Sequence, residues 1–172
     1  MKIPAGIVQF LDGATVAFAV TRDDKLVPLV HFVLSWAVDE DRELITCLLP
    51  PVHNKELIAS LEDNGRFAMT VLGSTTGLRA SDPPNPSVDF HECYQLKGDY
   101  VRSRPANDKD MSLVGQKGEQ FHTLFHPLLG FSDAACRALF RNPALAMTFR
   151  VREIYDQTPG PGAGSKLQLE GA

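Results

Sequence analysis

Residues 42–66, RELITCLLPPVHNKELIASLEDNGR, force a strand and a helix to meet at one fixed point. The run 44–49 is apolar and strand-like, and Pro50 and Pro51 stop it because neither can donate to a ladder. The chain restarts as a helix with Asn54 at the N-cap and with Leu57, Ile58 and Leu61 on one face. Asn64 and Gly65 supply its stop signal. Lys55 then stands at the first helical position, where the dipole is already positive, a mildly unfavourable place for a cation unless an anion offsets it. A strand that delivers a lysine and unpaired backbone N–H groups to one point is a candidate phosphate cradle. The plainer alternative is a solvated lysine at a helix start.

The bulk of the chain suits one globular domain over 1–172, since 44% of its 172 residues are hydrophobic and 22% charged. A net charge of −4 without a basic stripe argues against a nucleic-acid surface. No run approaches the roughly 20 apolar residues that span a bilayer, and MKIPAGIVQFLDG is too short and interrupted for a secretory signal. Cys47, Cys93 and Cys136 are widely spaced, which gives neither a disulfide framework nor a zinc site. A soluble cytoplasmic protein, with no membrane and no metal, is expected.

Read in order, 3–11 forms one or two helical turns and 14–21 a strand. The apolar run 26–38 reads as one long strand buried on both faces, a barrel wall whose outer side meets a helix or a partner. After the helix at 54–64, 66–74 alternates as a strand through Phe67, Met69 and Val71, and the Pro-rich segment 75–87 is an irregular loop that carries Arg79. Residues 90–103 form a fifth strand in which Gly98 marks a bulge or tight bend. Residues 105–118 read as polar and turn-rich. Phe121, Leu124, Phe125, Leu128 and Leu129 keep helical spacing up to Gly130, Ser132 caps a second short helix, and a last strand follows Asn142-Pro143. The tail at 156–172 has too little apolar surface to fold alone, and its PGPGAG stretch is either a disordered end or, being stiff, a lid over a neighbouring site, with the lid slightly favoured. The expectation is a mainly β chain, an antiparallel split β-barrel of about six strands with a helical insertion at about 106–141.

That order of elements, with HNKEL at the helix start and YQLKG at 94–98, resembles the FMN-binding split-barrel family that includes pyridoxamine 5'-phosphate oxidase. The resemblance spans about 14–155. It implies an FMN-dependent oxidoreductase acting on a small molecule, built as a homodimer with the flavin at the subunit interface. It also implies site residues. Lys55 would hold the flavin phosphate, with His53 and Asn54 beside it; Thr46 and Cys47 would lie along the ring; Leu29, Val30 and His31 would offer backbone groups to the ring edge. Gln95, or Glu92, would reach the flavin from the partner subunit. The chain departs from the oxidase in having Pro28 and Leu29 where a phosphate-binding arginine stands, and in lacking its C-terminal substrate motif. Pyridoxamine phosphate is therefore not the expected substrate. A flavin- or haem-binding protein without turnover, and a deazaflavin-dependent reductase, are the alternatives on the same fold.

Each of these residues also has an ordinary use. His31 fits a hydrogen-bonded core histidine, Thr46 a plain strand residue, and Cys47 a small buried hydrophobe. His122 and His126 have helical metal-chelating spacing, but no third ligand is evident in the sequence. No residue stands out as a general acid or base, and the substrate stays open.

Overall fold

The apolar run at 26–38 makes two strands, and the point where they part organises the sheet. The computed structural model describes residues 1–13, 16–51, 54–73, 92–129, 132–140, 143 and 145–171, with backbone alone at 54, 124–129, 136 and 139. In chain order its elements are α1 (Ala5–Gly13), β1 (Val16–Arg22), β2 (Pro28–Val33), β3 (Ser35–Val38), β4 (Leu44–Leu49), α2 (Asn54–Asn64), β5 (Arg66–Gly73), β6 (Glu92–Pro105), α3 (Asp108–Leu129), α4 (Asp133–Leu139), β7 (Leu145–Asp156) and β8 (Lys166–Leu167). The strands neighbour one another in the order β2-β1-β5-β6-β7-β4-β3, with β8 added to β7. Every pairing is antiparallel.

The two ends of that sheet are successive segments of one chain, so the sheet must curl into a barrel. Leu34 is the joint, and its N–H donates to the Leu48 carbonyl at 2.8 Å. The expected single strand is thus split, because its first half pairs with β1 and its second with β4. The mainly antiparallel split barrel with helical additions is the fold observed, with eight strands among the described residues in place of about six.

Alternation fills the barrel. Phe67, Met69 and Val71 of β5 point inward, as their spacing predicts, and meet Ala17 and Ala19 of β1, Cys47 of β4, and Met147 and Phe149 of β7. The rings of Phe67 and Phe149 lie 4.6 Å apart. Leu57 and Leu61 of α2 are fully buried in the same core, each contributing roughly 1.5–3 kcal/mol. The helix is tied to β1 by a Thr21–Ser60 hydroxyl bond of 3.0 Å and by Asn64 Nδ2 donating to the Arg22 carbonyl at 2.8 Å. Gly65, at φ 64°, ends it as the sequence predicts. Ile7 and Leu11 of α1 join the core, and Trp36 Nε1 donates to the Leu11 carbonyl at 3.0 Å.

Helix α3 lies on the outer face, with Val114 against Leu34, Leu48 and Ala146. Phe32 meets Phe121 and Phe140 edge-on, at 6.2 and 5.9 Å. This helix corrects the turn-rich reading of 105–118. Asn107 and Asp110 cap its start reciprocally, the Asn107 N–H donating to Asp110 Oδ2 at 2.8 Å and the Asp110 N–H to Asn107 Oδ1 at 3.2 Å. Ser132 does cap α4, accepting from the Ala135 N–H at 3.2 Å. The tail turns back on its own chain: β8 pairs with β7, Leu169 is buried, and Glu170 pairs with Arg42 at 2.5 Å. No described helix is long and apolar enough to cross a membrane. The expected irregular loop at 75–87, with Arg79, lies outside the described residues.

Candidate functional site at the open edge of the barrel

Strand β2 uses only one of its edges. Among the described residues it pairs with β1 alone, so alternate backbone N–H and C=O groups of Leu29, Val30 and His31 face away from the ladder. Val30 presents its side chain outward, 61% exposed, while His31 turns into the barrel and is only 7% exposed. Leu29 lies between these extremes. The Leu34–Leu48 bond is where β2 and β4 come together. Below it, β4 ends at Leu49 and α2 begins at Asn54.

Strand parity sorts the remaining residues. Thr46 faces outward and shares a 2.9 Å hydroxyl bond with Thr148 of β7. It lines a shallow groove of about 360 Å³ with Arg104, Lys109 and Leu113. Cys47 faces inward, is 0% exposed, and places Sγ 3.5 Å from Met69 Sδ. Burial pushes its thiol far above the ordinary range. Its side chain belongs to the core and its backbone lies between Trp36 of β3 and Met147 of β7, while the His31 side chain is buried too.

Lys55 is exposed in the first turn of α2 and forms no ion pair with a described residue. Glu56 beside it is exposed too. Asn54 opens the helix; its side chain and His53 lie outside the described residues. Gln95 is half-buried on the outer face of β6, in register between Thr70 of β5 and Tyr155 of β7. Two strands separate β6 from β2, so Gln95 does not join Leu29–His31 within one chain. Glu92 opens β6 opposite Gly73.

Of the histidine pair, His122 bonds Asp133 at 2.8 Å and ties α3 to α4; the side chain of His126 is outside the described residues. Among the described residues no group of three or more His, Cys, Asp or Glu is placed to hold a metal. Lys117 donates to the Asp12 carbonyl at 2.9 Å and stands 4.6 Å from the Trp36 ring centroid. Burial lowers it to about 8.

Sequence reasoning missed a second feature. Arg22, Arg66, Lys97 and Arg152 line one cleft of about 610 Å³. They come from four strands, β1, β5, β6 and β7, so no local motif announces them; only the sheet register brings them together.

No protein-family model matches the chain, and no curated protein matches it. Solved structures do. An F420 reductase is 16% identical, with 88% of this chain and 98% of that one covered at a TM-score of 0.50. HupZ of Group A Streptococcus is 12% identical, with 94% and 99% covered, also at 0.50. An FMN-binding protein from Syntrophomonas wolfei subsp. wolfei is 11% identical, with 87% and 82% covered, at 0.48. At such identities the likeness is one of fold, the split β-barrel.

Proposed function

We propose that the chain is an FMN-binding oxidoreductase of unknown small-molecule substrate, working as a homodimer with the flavin between subunits. The observation that carries this is strand β2, which pairs along only one edge among the described residues, taken together with Lys55 in the first turn of α2, which forms no ion pair with a described residue. An open strand edge favours a planar ligand rich in donors and acceptors. The ring system of FMN is such a ligand, and its phosphate suits a cation and N–H groups at a helix start.

The residues present fit the group. Lys55 and the first-turn N–H groups of α2 would neutralise the phosphate. Backbone of Leu29–His31 would meet the ring edge, and Thr46 would add a hydroxyl that Thr148 already orients. Val30 supplies exposed apolar surface, and Gln95 would serve the partner subunit's site. Bound FMN would supply the redox chemistry, while the chain supplies position, charge and exclusion of water. The F420 reductase of the same fold makes a deazaflavin the natural competitor.

The test is titration of purified protein with FMN and with a deazaflavin, followed by flavin fluorescence, alongside sedimentation to read the oligomer. Saturable uptake of FMN by a dimer supports the reading. A protein that takes up no FMN overturns it, and preference for the deazaflavin moves it to that cofactor. Turnover of reduced nicotinamide by the loaded protein then separates an enzyme from a carrier.

A further inference from the structure

The flavin reading leaves the cationic cleft unused. Its floor is set by the register Val20–Ala68–Lys97 across β1, β5 and β6. Ala68 contributes one methyl where its neighbours contribute more, and the hollow opens above it. Four cations, Arg22, Arg66, Lys97 and Arg152, line the cleft against one carboxylate, Glu153. Glu153 is already engaged by Lys166 Nζ at 2.6 Å and by the Tyr155 hydroxyl, which donates at 3.2 Å. Asp99 is divided between two guanidiniums, accepting from Arg66 Nη1 at 2.8 Å and from Arg152 Nε at 2.6 Å.

The other two cations make no ion pair with a described residue. Arg22 donates only to the Asp23 carbonyl at 3.3 Å among the described residues. Lys97 holds its ammonium 4.6 Å from the Tyr155 ring centroid and stands across the β6–β7 register from Glu153, the carboxylate that Lys166 already bonds. In a chain of net charge −4, such a local excess of positive charge is a focused field rather than background.

We propose that this cleft binds a small organic phosphate, separate from the site at Lys55. Four cations that share only Asp99 and Glu153, the latter also bonded by Lys166, match a dianion better than a monocarboxylate. Guanidinium forks and an ammonium are the donors that phosphate oxygens accept from most strongly. Val20 and Ala68 give the carbon skeleton an apolar floor, and the volume is that of a small-molecule pocket. A nucleic acid is disfavoured by the acidic remainder of the chain.

The experiment is calorimetric titration of the full chain with phenyl phosphate, with benzoate as the monoanionic comparison. Phenyl phosphate binds and benzoate binds more weakly. The double variant Arg22→Gln/Lys97→Gln, which breaks no ion pair among the described residues, weakens phenyl phosphate by about tenfold or more with an unchanged melting temperature. Ala68→Leu fills the floor without touching a charge and weakens it as well, a check that holds even if the double variant folds poorly. Lys55→Ala leaves phenyl phosphate binding intact, so this site can fail while the flavin site stands, or the reverse. The proposal is overturned by absent binding at millimolar ligand, by equal affinity in the double variant, by benzoate binding as tightly, or by loss on Lys55→Ala alone.

Discussion

The Cα of Gly98 lies against the backbone carbonyl of Arg150, so close that a Cβ at position 98 would overlap that oxygen and meet Phe149 Cδ2 at 3.0 Å. The pairing of β6 with β7 slips between Lys97 and Gly98, the bulge that a glycine in this strand foretells. Neither obstacle is the far end of a flexible side chain, so the strands themselves must move. Gly98→Ala should cost about 3 kcal/mol, read as a lower urea midpoint. Gly115→Ala is the control: it is exposed on α3 with nothing within 4 Å of an added Cβ, and should gain about 0.5–1 kcal/mol from helix propensity.

Asp110 anchors the start of α3. It is 4% exposed and accepts from Arg104 Nη1 at 2.6 Å and Nη2 at 3.0 Å. The bond to Arg104 holds its carboxyl below the usual carboxylate range. A depressed folded value means stability that is fully present above the unfolded value of about 3.9 and is lost as pH falls through the folded one. Asp110→Asn should cost about 2 kcal/mol at neutral pH, discounted for the partial exposure of Arg104. Melting temperatures followed from neutral to strongly acid pH should converge for the two proteins at the acid end; a constant gap would deny the ion pair its role.

Lys117 carries the opposite sign. Burial disfavours its charged form, so its value falls to about 8 despite the nearby Asp12. The folded state therefore releases this proton before the unfolded chain does, at about 10.4. Stability from this group should rise as pH climbs from about 8 towards that value. Lys117→Met should remove the rise while keeping much of the packing against Trp36, and the difference between the two denaturation series isolates it from other basic groups.

These residues show which parts of the fold can be read from the chain alone. The end of β4 and the end of α2 are legible because Pro50, Pro51 and Gly65 act on their own neighbours, and Phe67, Met69 and Val71 declare their face by parity. The break at Leu34 is not legible, because both halves of 26–38 are apolar and their different partners, β1 and β4, decide where the strand divides. The first turns of α3 read as loop because their signal is polar: Asn107 and Asp110 spend their side chains on each other's backbone. At the candidate site, the exposure of Lys55 follows from its position at a helix start. The inward turn of His31 and Cys47 depends on registers with β1 and β7 that no local pattern specifies. The cationic cleft is the extreme case, since its four charges meet only through the sheet.

Lys55 gives the sharpest test of the flavin reading, because its two roles predict opposite signs. As a solvated lysine it stands at the positive end of α2, and Lys55→Ala should leave stability unchanged or raise it by about 0.3 kcal/mol. As the phosphate ligand it contributes a charge-assisted contact, and its loss should weaken FMN by about tenfold or more. Riboflavin has the same ring and no phosphate, so its affinity should change by less than about twofold, well under the tenfold step that a lost charge-assisted bond represents. Parallel fluorescence titrations of both ligands against both proteins give the comparison directly. Equal losses for FMN and riboflavin would place Lys55 against the ring or the fold instead of the phosphate. A variant that melts no lower than the parent yet discriminates the two ligands by about tenfold would fix the phosphate at the start of α2.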